Sequence, residues 1–419
     1  MRRRSNFLFI IIAIHLFLDV YTYYGLRSLL SDAKYFRLYT LLYLCSSAFV
    51  YYCIYQFYQG LQESSMFRSA HLNFYIGVIL TSLVSRIFFV GLLSIQDGGR
   101  FLVGVYSWIS SFGGEKPDTS YFPSRRKFLS VSAALVGAIP LFSMIYGITK
   151  GKYNFKVNTV KLAFKDLPKS FDGFKIVQIS DIHAGSLDNK DKFEKGIAIV
   201  NAQNPDLIVF TGDMINSQKE EVDPWIESIA KLSAKYGKYA VTGNHDYYGL
   251  YDLESEEEKV AYMQAFFEKF PEMGFQLLNN RNEKISLGAE SISIVGVENW
   301  GQAGWSPKHG DIEKAMSGVE DDAFTVMLTH DPTHWDAQIL PHKKHVHLSM
   351  CGHTHGYQFG IKMPGFKWSP AQYAYPRWMG LYEENSQYLY VNTGFGFLAF
   401  PGRVGIWPEI SVFELSCVG

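Results

Sequence analysis

Five times after residue 170 the chain runs a short apolar stretch into a polar loop that carries Asp, Asn or His. Phe174 to Ile179 leads into Ser180-Asp181-Ile182-His183, Leu207 to Phe210 into Thr211-Gly212-Asp213, and Tyr239 to Val241 into Thr242-Gly243-Asn244-His245-Asp246. Phe324 to Leu328 then leads into Thr329-His330, and His345 to Cys351 into Gly352-His353-Thr354-His355. Runs of this length bounded by turn residues read as strands, so each loop closes a strand. A lone Asp or His beside a strand is more often a cap or a solvated group. Five in succession are not an accident of composition.

The remaining composition excludes several classes. At 419 residues there is room for two or three domains and a large core. A net charge of -1 lacks the basic excess that a nucleic-acid binder carries. The four cysteines, Cys45, Cys53, Cys351 and Cys417, form no CxxC pair, which speaks against a zinc ribbon or a redox motif. Ten of the twelve histidines follow residue 180, while the long apolar runs precede residue 150.

That asymmetry predicts two domains, residues 1–150 and 151–419. In the first, apolar segments at 7–26, 38–57, 74–95 and 128–148 are each long enough to cross a ~30 Å hydrocarbon core as a helix. Tyrosine clusters at Tyr21 to Tyr24 and Tyr51-Tyr52 fit interface belts. His15, Asp19 and Arg86 are ionisable groups inside these runs; structural roles between helices are expected ahead of a transport path. Phe101 to Phe112 is too short to span and reads as a separate re-entrant or interfacial piece. The stretch Ser124-Arg125-Arg126-Lys127-Phe128-Leu129 leaves two readings open, a twin-arginine export signal placed internally or the basic flank of a membrane helix.

From Gly151 onward, strand-like runs alternate with helical patterns at Lys192 to Ala202 and Asp223 to Tyr236, and strands crowd the later part. This reads as two sheets packed face to face with helices outside. The acidic run Asp252 to Glu258 reads as the start of a helix, where carboxylates meet its positive end.

Asp181, His183, Asp213, Asn244, His330, His353 and His355 are oxygen and imidazole donors without a thiolate, a set suited to Mn, Fe, Zn or Co. Both Asp181-Ile182-His183 and His353-Thr354-His355 have period-two spacing, which points both side chains one way if the extended backbone continues past the strand. Seven potential ligands are too many for one ion and suit two that share a carboxylate. Such a pair polarises a phosphoryl oxygen and lowers the pKa of a water between them.

The order and spacing resemble the calcineurin-like metallophosphoesterases, whose pattern is DxH, GD, GNH, a lone His and GHxH. The resemblance covers about residues 170–400. It implies an α/β fold of four layers, a β-sandwich flanked by helices, here placed after an all-α transmembrane domain. It further implies one divalent ion on Asp181, His183, Asp213 and His355 and a second on Asp213, Asn244, His330 and His353, with Asp213 bridging. His245 resembles the family's non-ligand histidine that protonates the leaving oxygen, with Asp246 orienting it. His334, His342, His345 and His347 match no motif and are read as structural.

Two departures narrow the substrate. Met214-Ile215-Asn216 stands where the protein-phosphatase branch has an Asp-Arg pair, which argues against phosphoproteins. The chain is more similar to small bacterial membrane-associated phosphoesterases, a group that includes UDP-2,3-diacylglucosamine pyrophosphatases. Gly356-Tyr357-Gln358 replaces a usual second glycine after the last ligand and reshapes the pocket rim. The loop from Tyr357 to Tyr382 carries Phe359, Phe366, Trp368, Tyr373, Tyr375 and Trp378, either as an apolar wall for a lipid tail or membrane contact, or packed on itself. The sequence therefore predicts a multi-pass membrane hydrolase with two divalent ions, acting on a phosphodiester, pyrophosphate or phosphomonoester. Its expected partners are the bilayer and a phosphorylated, lipid-linked substrate. The rival is a membrane sensor or transporter whose esterase-like domain only binds a phosphorylated ligand. Basic flanks pull the topology both ways; the triplet before Phe128 tips it toward an extracytoplasmic site.

Overall fold

The computed structural model describes residues 2–30, 34, 36–63, 70–112, 123–304 and 306–418. Contacts divide the chain into two units, one of Met1–Ser64 with Phe74–Gly147 and one of Ser65–Asn73 with Ile148–Gly419.

The first unit holds four helices, α1 (Arg2–Leu30), α2 (Phe36–Glu63), α3 (Ala70–Ser111) and α4 (Pro123–Thr149). Their apolar stretches Leu8–Arg27, Phe36–Leu61, Leu72–Ser111 and Phe128–Thr149 are long enough to cross a membrane. Phe101 to Phe112 is not the separate piece expected. Its residues through Ser111 continue α3, because Asp97-Gly98-Gly99-Arg100 forms part of the same helix. Asp19 ties α1, α2 and α3 together: its carboxylate accepts from Tyr43 and Ser47, both at 2.7 Å, and pairs with Arg86 Nη2 at 2.9 Å. In a low-dielectric interior the carboxylate is tolerated only because the cation and two hydroxyls meet it together.

The second unit is an α/β sandwich whose first nine strands are β1 (Lys156–Phe164), β2 (Lys175–Ile179), β3 (Leu207–Thr211), β4 (Lys238–Val241), β5 (Gln276–Leu277), β6 (Arg281–Leu287), β7 (Glu290–Gly296), β8 (Thr325–Leu328) and β9 (Leu348–Cys351). They are followed by a small hairpin, β10 (Ile361–Met363) and β11 (Phe366–Trp368), and by β12 (Gly380–Glu384), β13 (Gln387–Val391) and β14 (Glu409–Cys417). One sheet runs β1-β14-β2-β3-β4-β5, the other β12-β13-β9-β8-β7-β6. In each, the strands that lead to the polar loops pair in parallel, β2 to β4 in the first and β8 with β9 in the second.

Strand alternation builds the layers. Leu207, Val209, Val326, Leu328, Leu348 and Met350 face inward and fill the space between the sheets. Their neighbours Ile208 and Phe210 face the other way, onto Phe193 and Ile197 of helix Lys190–Asn201 and Phe266 of helix Glu256–Phe267. Met327 and Cys351 face a third cluster around Trp335 and Ile339. Helix, sheet, sheet, helix is the four-layer order expected.

Local chemistry sets the element ends. The acidic run does start a helix: Ser255 Oγ accepts from Glu258 N at 3.1 Å while Glu258 Oε2 accepts from Ser255 N at 3.3 Å, a capping box. The helix expected over Asp223 to Tyr236 is broken into Lys219–Trp225 and Ile226–Ala230, with Pro224 inside the first piece. His345 and His347 precede β9 rather than alternate within it, and His347 clamps Asp166 at 2.6 Å and the Thr325 amide at 3.0 Å.

Candidate metal centre

The polar loops all leave the carboxyl ends of parallel strands, so they gather at one edge of the sandwich, the usual place for a site in such sheets. Two donor groups form there, Asp181 with His183 and His355, and Asp213 with His330 and His353. His183 Nε2 and His355 Nε2 are 3.0 Å apart, and His355 Nε2 is 3.3 Å from Asp181 Oδ1. His330 Nε2 lies 3.2 Å from His353 Nδ1 and 3.1 Å from Asp213 Oδ2. The same Asp213 Oδ2 is 3.6 Å from His183 Nε2, so this one oxygen faces both groups.

The backbone reason differs from the one the spacing suggested. Asp181, His183, His353 and His355 take φ of 53°, 49°, 74° and 50°, so an extended backbone does not explain how each pair comes to face one way. Asp213, at 60°, joins them in the left-handed region that residues with a Cβ rarely occupy. Strain of this kind, of order 1–3 kcal/mol per residue, persists where surrounding structure fixes it and clusters at functional sites. The glycines make the crowding feasible: a methyl group at Gly243 would strike Asp213 Oδ1, and one at Gly352 would strike Asp181 Oδ2.

The donors fit cations. Asn244 Oδ1 is buried with no hydrogen-bond partner among the described residues, an acceptor that a cation would satisfy. Burial works against protonation of His330, yet the Asp213 carboxylate lifts its pKa to about 10, so a cation bound there would displace a proton from this ring. Asp213 itself is held well below the usual carboxylate range, since His330 and His245 outweigh its burial. Burial pulls His183 and His353 down, leaving imidazoles whose lone pairs suit a metal, and it pulls the non-ligand His245 down as well.

Asp246 turns its carboxylate onto backbone amides. Its Oδ2 accepts from Gly243 N at 2.8 Å and Asp213 N at 3.1 Å, and its Oδ1 from Met214 N at 2.9 Å and Ile215 N at 3.3 Å. Burial and the nearby Asp213 charge push its carboxyl up to about 7 against these four amides. His245 Nδ1 instead faces the Asn216 carbonyl at 2.8 Å, and its ring lies edge-on to His183 at 4.9 Å.

Several neighbours carried no sequence signal. Tyr375 OH meets His353 Nε2 at 2.8 Å, Arg403 Nη2 meets His355 Nδ1 at 3.1 Å, and Tyr248 OH accepts from Asn244 Nδ2 at 2.8 Å. Only Tyr375 lay in a stretch that drew notice, the aromatic loop. Of the other histidines, His334 is buried between Thr329 Oγ1 and Gln338 Oε1, at 2.9 and 3.0 Å.

Comparison with known proteins agrees with the fold. Residues 2–152 match a family model described as a probable calcineurin-like phosphoesterase transmembrane domain, and residues 174–357 match the calcineurin-like phosphoesterase model. The uncharacterized metallophosphoesterase YkuE of Bacillus subtilis is 31% identical over 303 residues, which are 70% of this chain and 98% of that protein. A transmembrane protein with metallophosphoesterase domain from Danio rerio is 29% identical over 65% of this chain, and this chain spans only 60% of that relative's length. A metallophosphoesterase of Helicobacter pylori strain 26695 is 25% identical over 92% of this chain and 90% of its own. The chain belongs to the calcineurin-like metallophosphoesterases, with a membrane-associated N-terminal domain.

Replacing Asp246 by Asn would turn an NH2 group toward amides that are themselves donors. Asp246→Asn is expected to cost about 1–3 kcal/mol of stability, the range for a buried polar group left unmatched. Thermal unfolding in detergent would show it, and an unchanged midpoint would refute this account of the loop.

Proposed function

We propose that the protein is a membrane-tethered dimetal phosphoesterase that hydrolyses a phosphodiester, pyrophosphate or phosphomonoester bond of a lipid-linked substrate, nucleotide-sugar lipids included. The observation that carries this reading is the single carboxylate oxygen, Asp213 Oδ2, placed 3.1 Å from His330 and 3.6 Å from His183 between two donor groups. Asp181, His183, Asp213 and His355 would hold one ion; Asp213, Asn244, His330 and His353 the other. When bound, two such ions supply Lewis acidity toward a phosphoryl oxygen and a water of lowered pKa. The oxygen and nitrogen donor set favours Mn, Fe, Zn or Co.

The chain's own part is orientation and proton transfer. Asn216 O accepts the Nδ1–H of His245, so the imidazolium form would carry its second proton on Nε2 and pass that proton to the leaving oxygen, returning to the neutral ring with its proton on Nδ1. Tyr248 packs on the same ring at 4.5 Å and holds its plane. Asp246 acts on His245 through the loop, by fixing the Gly243 amide two residues before it. A lipid-linked substrate is favoured because four apolar helices hold the unit near a bilayer, where a lipid-borne phosphate is presented at high local concentration.

Purified chain loaded with Mn is expected to hydrolyse bis-p-nitrophenyl phosphate. His245→Ala should keep both metals and lose roughly 10²- to 10⁴-fold in rate, less for esters with good leaving groups. Asp213→Asn should lose metal and rate together. An equal loss across leaving groups for His245→Ala, or two ions retained by Asp213→Asn, would remove the respective role.

We place the catalytic unit outside the cytoplasm. The support is the basic triplet Arg125-Arg126-Lys127, whose side chains lie outside the described residues, so this reading rests on sequence alone. Protease added to intact spheroplasts should clip the chain after residue 151; full protection until lysis would put the unit in the cytoplasm.

A further inference from the structure

The hairpin β10–β11 belongs to neither large sheet. Its turn places Pro364 and Gly365, φ 77°, at the central positions, the signature of a type II turn. The register pairs Ile361 with Trp368 and Met363 with Phe366 on one face, and Lys362 with Lys367 on the other. The lysine face turns to the domain: Lys367 Nζ donates to Met379 O at 2.6 Å and lies over the Tyr382 ring, 4.8 Å from its centroid. Ile361, Met363 and Phe366 are left 46%, 56% and 51% exposed. Two strands alone are marginal in water, so an outward apolar face on such a pair calls for a cover.

The tether says what that cover is. Only residues 150–155 separate Thr149, where the last apolar helix ends, from Lys156, where β1 starts. That length cannot exceed about 25 Å even fully extended. The stretch is also pinned to the α/β unit. Thr149 O accepts from Lys192 Nζ at 3.4 Å, Lys152 pairs with Asp188 at 2.5 Å, and Gly151 lies so close to the Arg403 carbonyl that a methyl group would collide. Arg403 precedes Val404, which bridges Phe359 and accepts from Gly360 N at 2.9 Å, at the root of the hairpin. From the end of the apolar helix to that root is therefore a step of two contacts. Lys150 and Lys156, both exposed, add positive charge suited to anionic headgroups.

We infer that the tip of the hairpin Ile361–Trp368 rests in the headgroup layer of the bilayer that the apolar helices enter. Both ends of the hairpin run into the candidate centre, since His355 and Gly356 precede it and Tyr375, on His353, follows it. Ser369 Oγ at its end donates to Gly356 O at 2.7 Å and closes the loop on itself. The centre then opens beside the membrane surface. This deepens the lipid-borne substrate proposed above and rests on that reading for its purpose, though not for its test.

The full chain with Cys45 and Cys417 changed to serine and Met363→Cys carrying an NBD label would be reconstituted in phosphatidylcholine–phosphatidylglycerol vesicles. The expected result is quenching by nitroxide-labelled phospholipid severalfold stronger than for the same label at Lys284→Cys, an exposed site on β6. Equal quenching at both sites by aqueous iodide would overturn the inference. So would a label shielded from both quenchers, which would mean that a second protein surface covers the hairpin. Hydrolysis of bis-p-nitrophenyl phosphate by the same samples reads the centre separately, so a hairpin that misses the bilayer is told apart from a centre that does not turn over.

Discussion

The arrangement depends on one buried carboxylate. Asp246 belongs to the loop after β4 and accepts four amide protons, three of them from the loop after β3, so two loops share one charge. Asp213 returns the contact by accepting from His245 N at 2.8 Å. Taking an ionised carboxylate out of water costs several kcal/mol. The cost is offset here by charge-assisted bonds to amides that would otherwise be buried without partners. Because those amides begin at Asp213 itself, the bond that stabilises the loops also fixes the carboxylate facing both donor groups.

That clasp acts within one sheet, and the site needs the other as well. His330 and His353 come from β8 and β9, across the sandwich from β3. The link is direct: His330 Nδ1 meets Thr211 O at 2.7 Å, and Gln178 Nε2 donates to both Thr211 Oγ1 and Cys351 O at 2.9 Å. His353 N in turn reaches Asp181 Oδ1 at 3.0 Å. Such short bonds between sheets hold only if the apolar layer between them is evenly filled. The inward residues of β3, β8 and β9 do this at the ~10 Å spacing of packed sheets.

Much of this was legible in the sequence, for identifiable reasons. Strand periodicity and the turn residues after each run placed the loops, and the oxygen and imidazole composition picked out candidate donors, six of which the loops bring together in two groups. The conformation of those loops was not legible. Period-two spacing suggested an extended strand end, whereas Asp181 and His183 are left-handed, a state imposed by crowding between sheets rather than by local preference. The resemblance implied that Asp246 orients His245, but nothing in the sequence showed that its oxygens turn onto backbone amides up to 33 residues away. Phe101 to Phe112 was read as separate because it is too short to span on its own, yet α3 runs through Gly98-Gly99 and continues to Ser111. Arg403 had no motif around it and only three-dimensional proximity reveals it, while Asn216 follows the Gly212-Asp213 motif but its carbonyl contact with His245 had no sequence signal.

The segment from Asn392 to Ser411 shows how such unannounced residues enter. Phe395 N and Gly396 N donate to the carbonyls of Ser180 and Asp181 at 2.7 and 2.9 Å, backing the loop that carries two of the donors. Buried Glu409 holds the start of the segment, accepting from Thr393 Oγ1 at 2.8 Å and bonding Tyr390 and Ser411. Arg403 closes it by donating to Gly396 O at 2.8 Å and facing His355 Nδ1. Its own carbonyl meanwhile crowds Gly151 of the tether. One residue thus touches the stretch leaving the apolar helix with its backbone and a candidate ligand with its side chain.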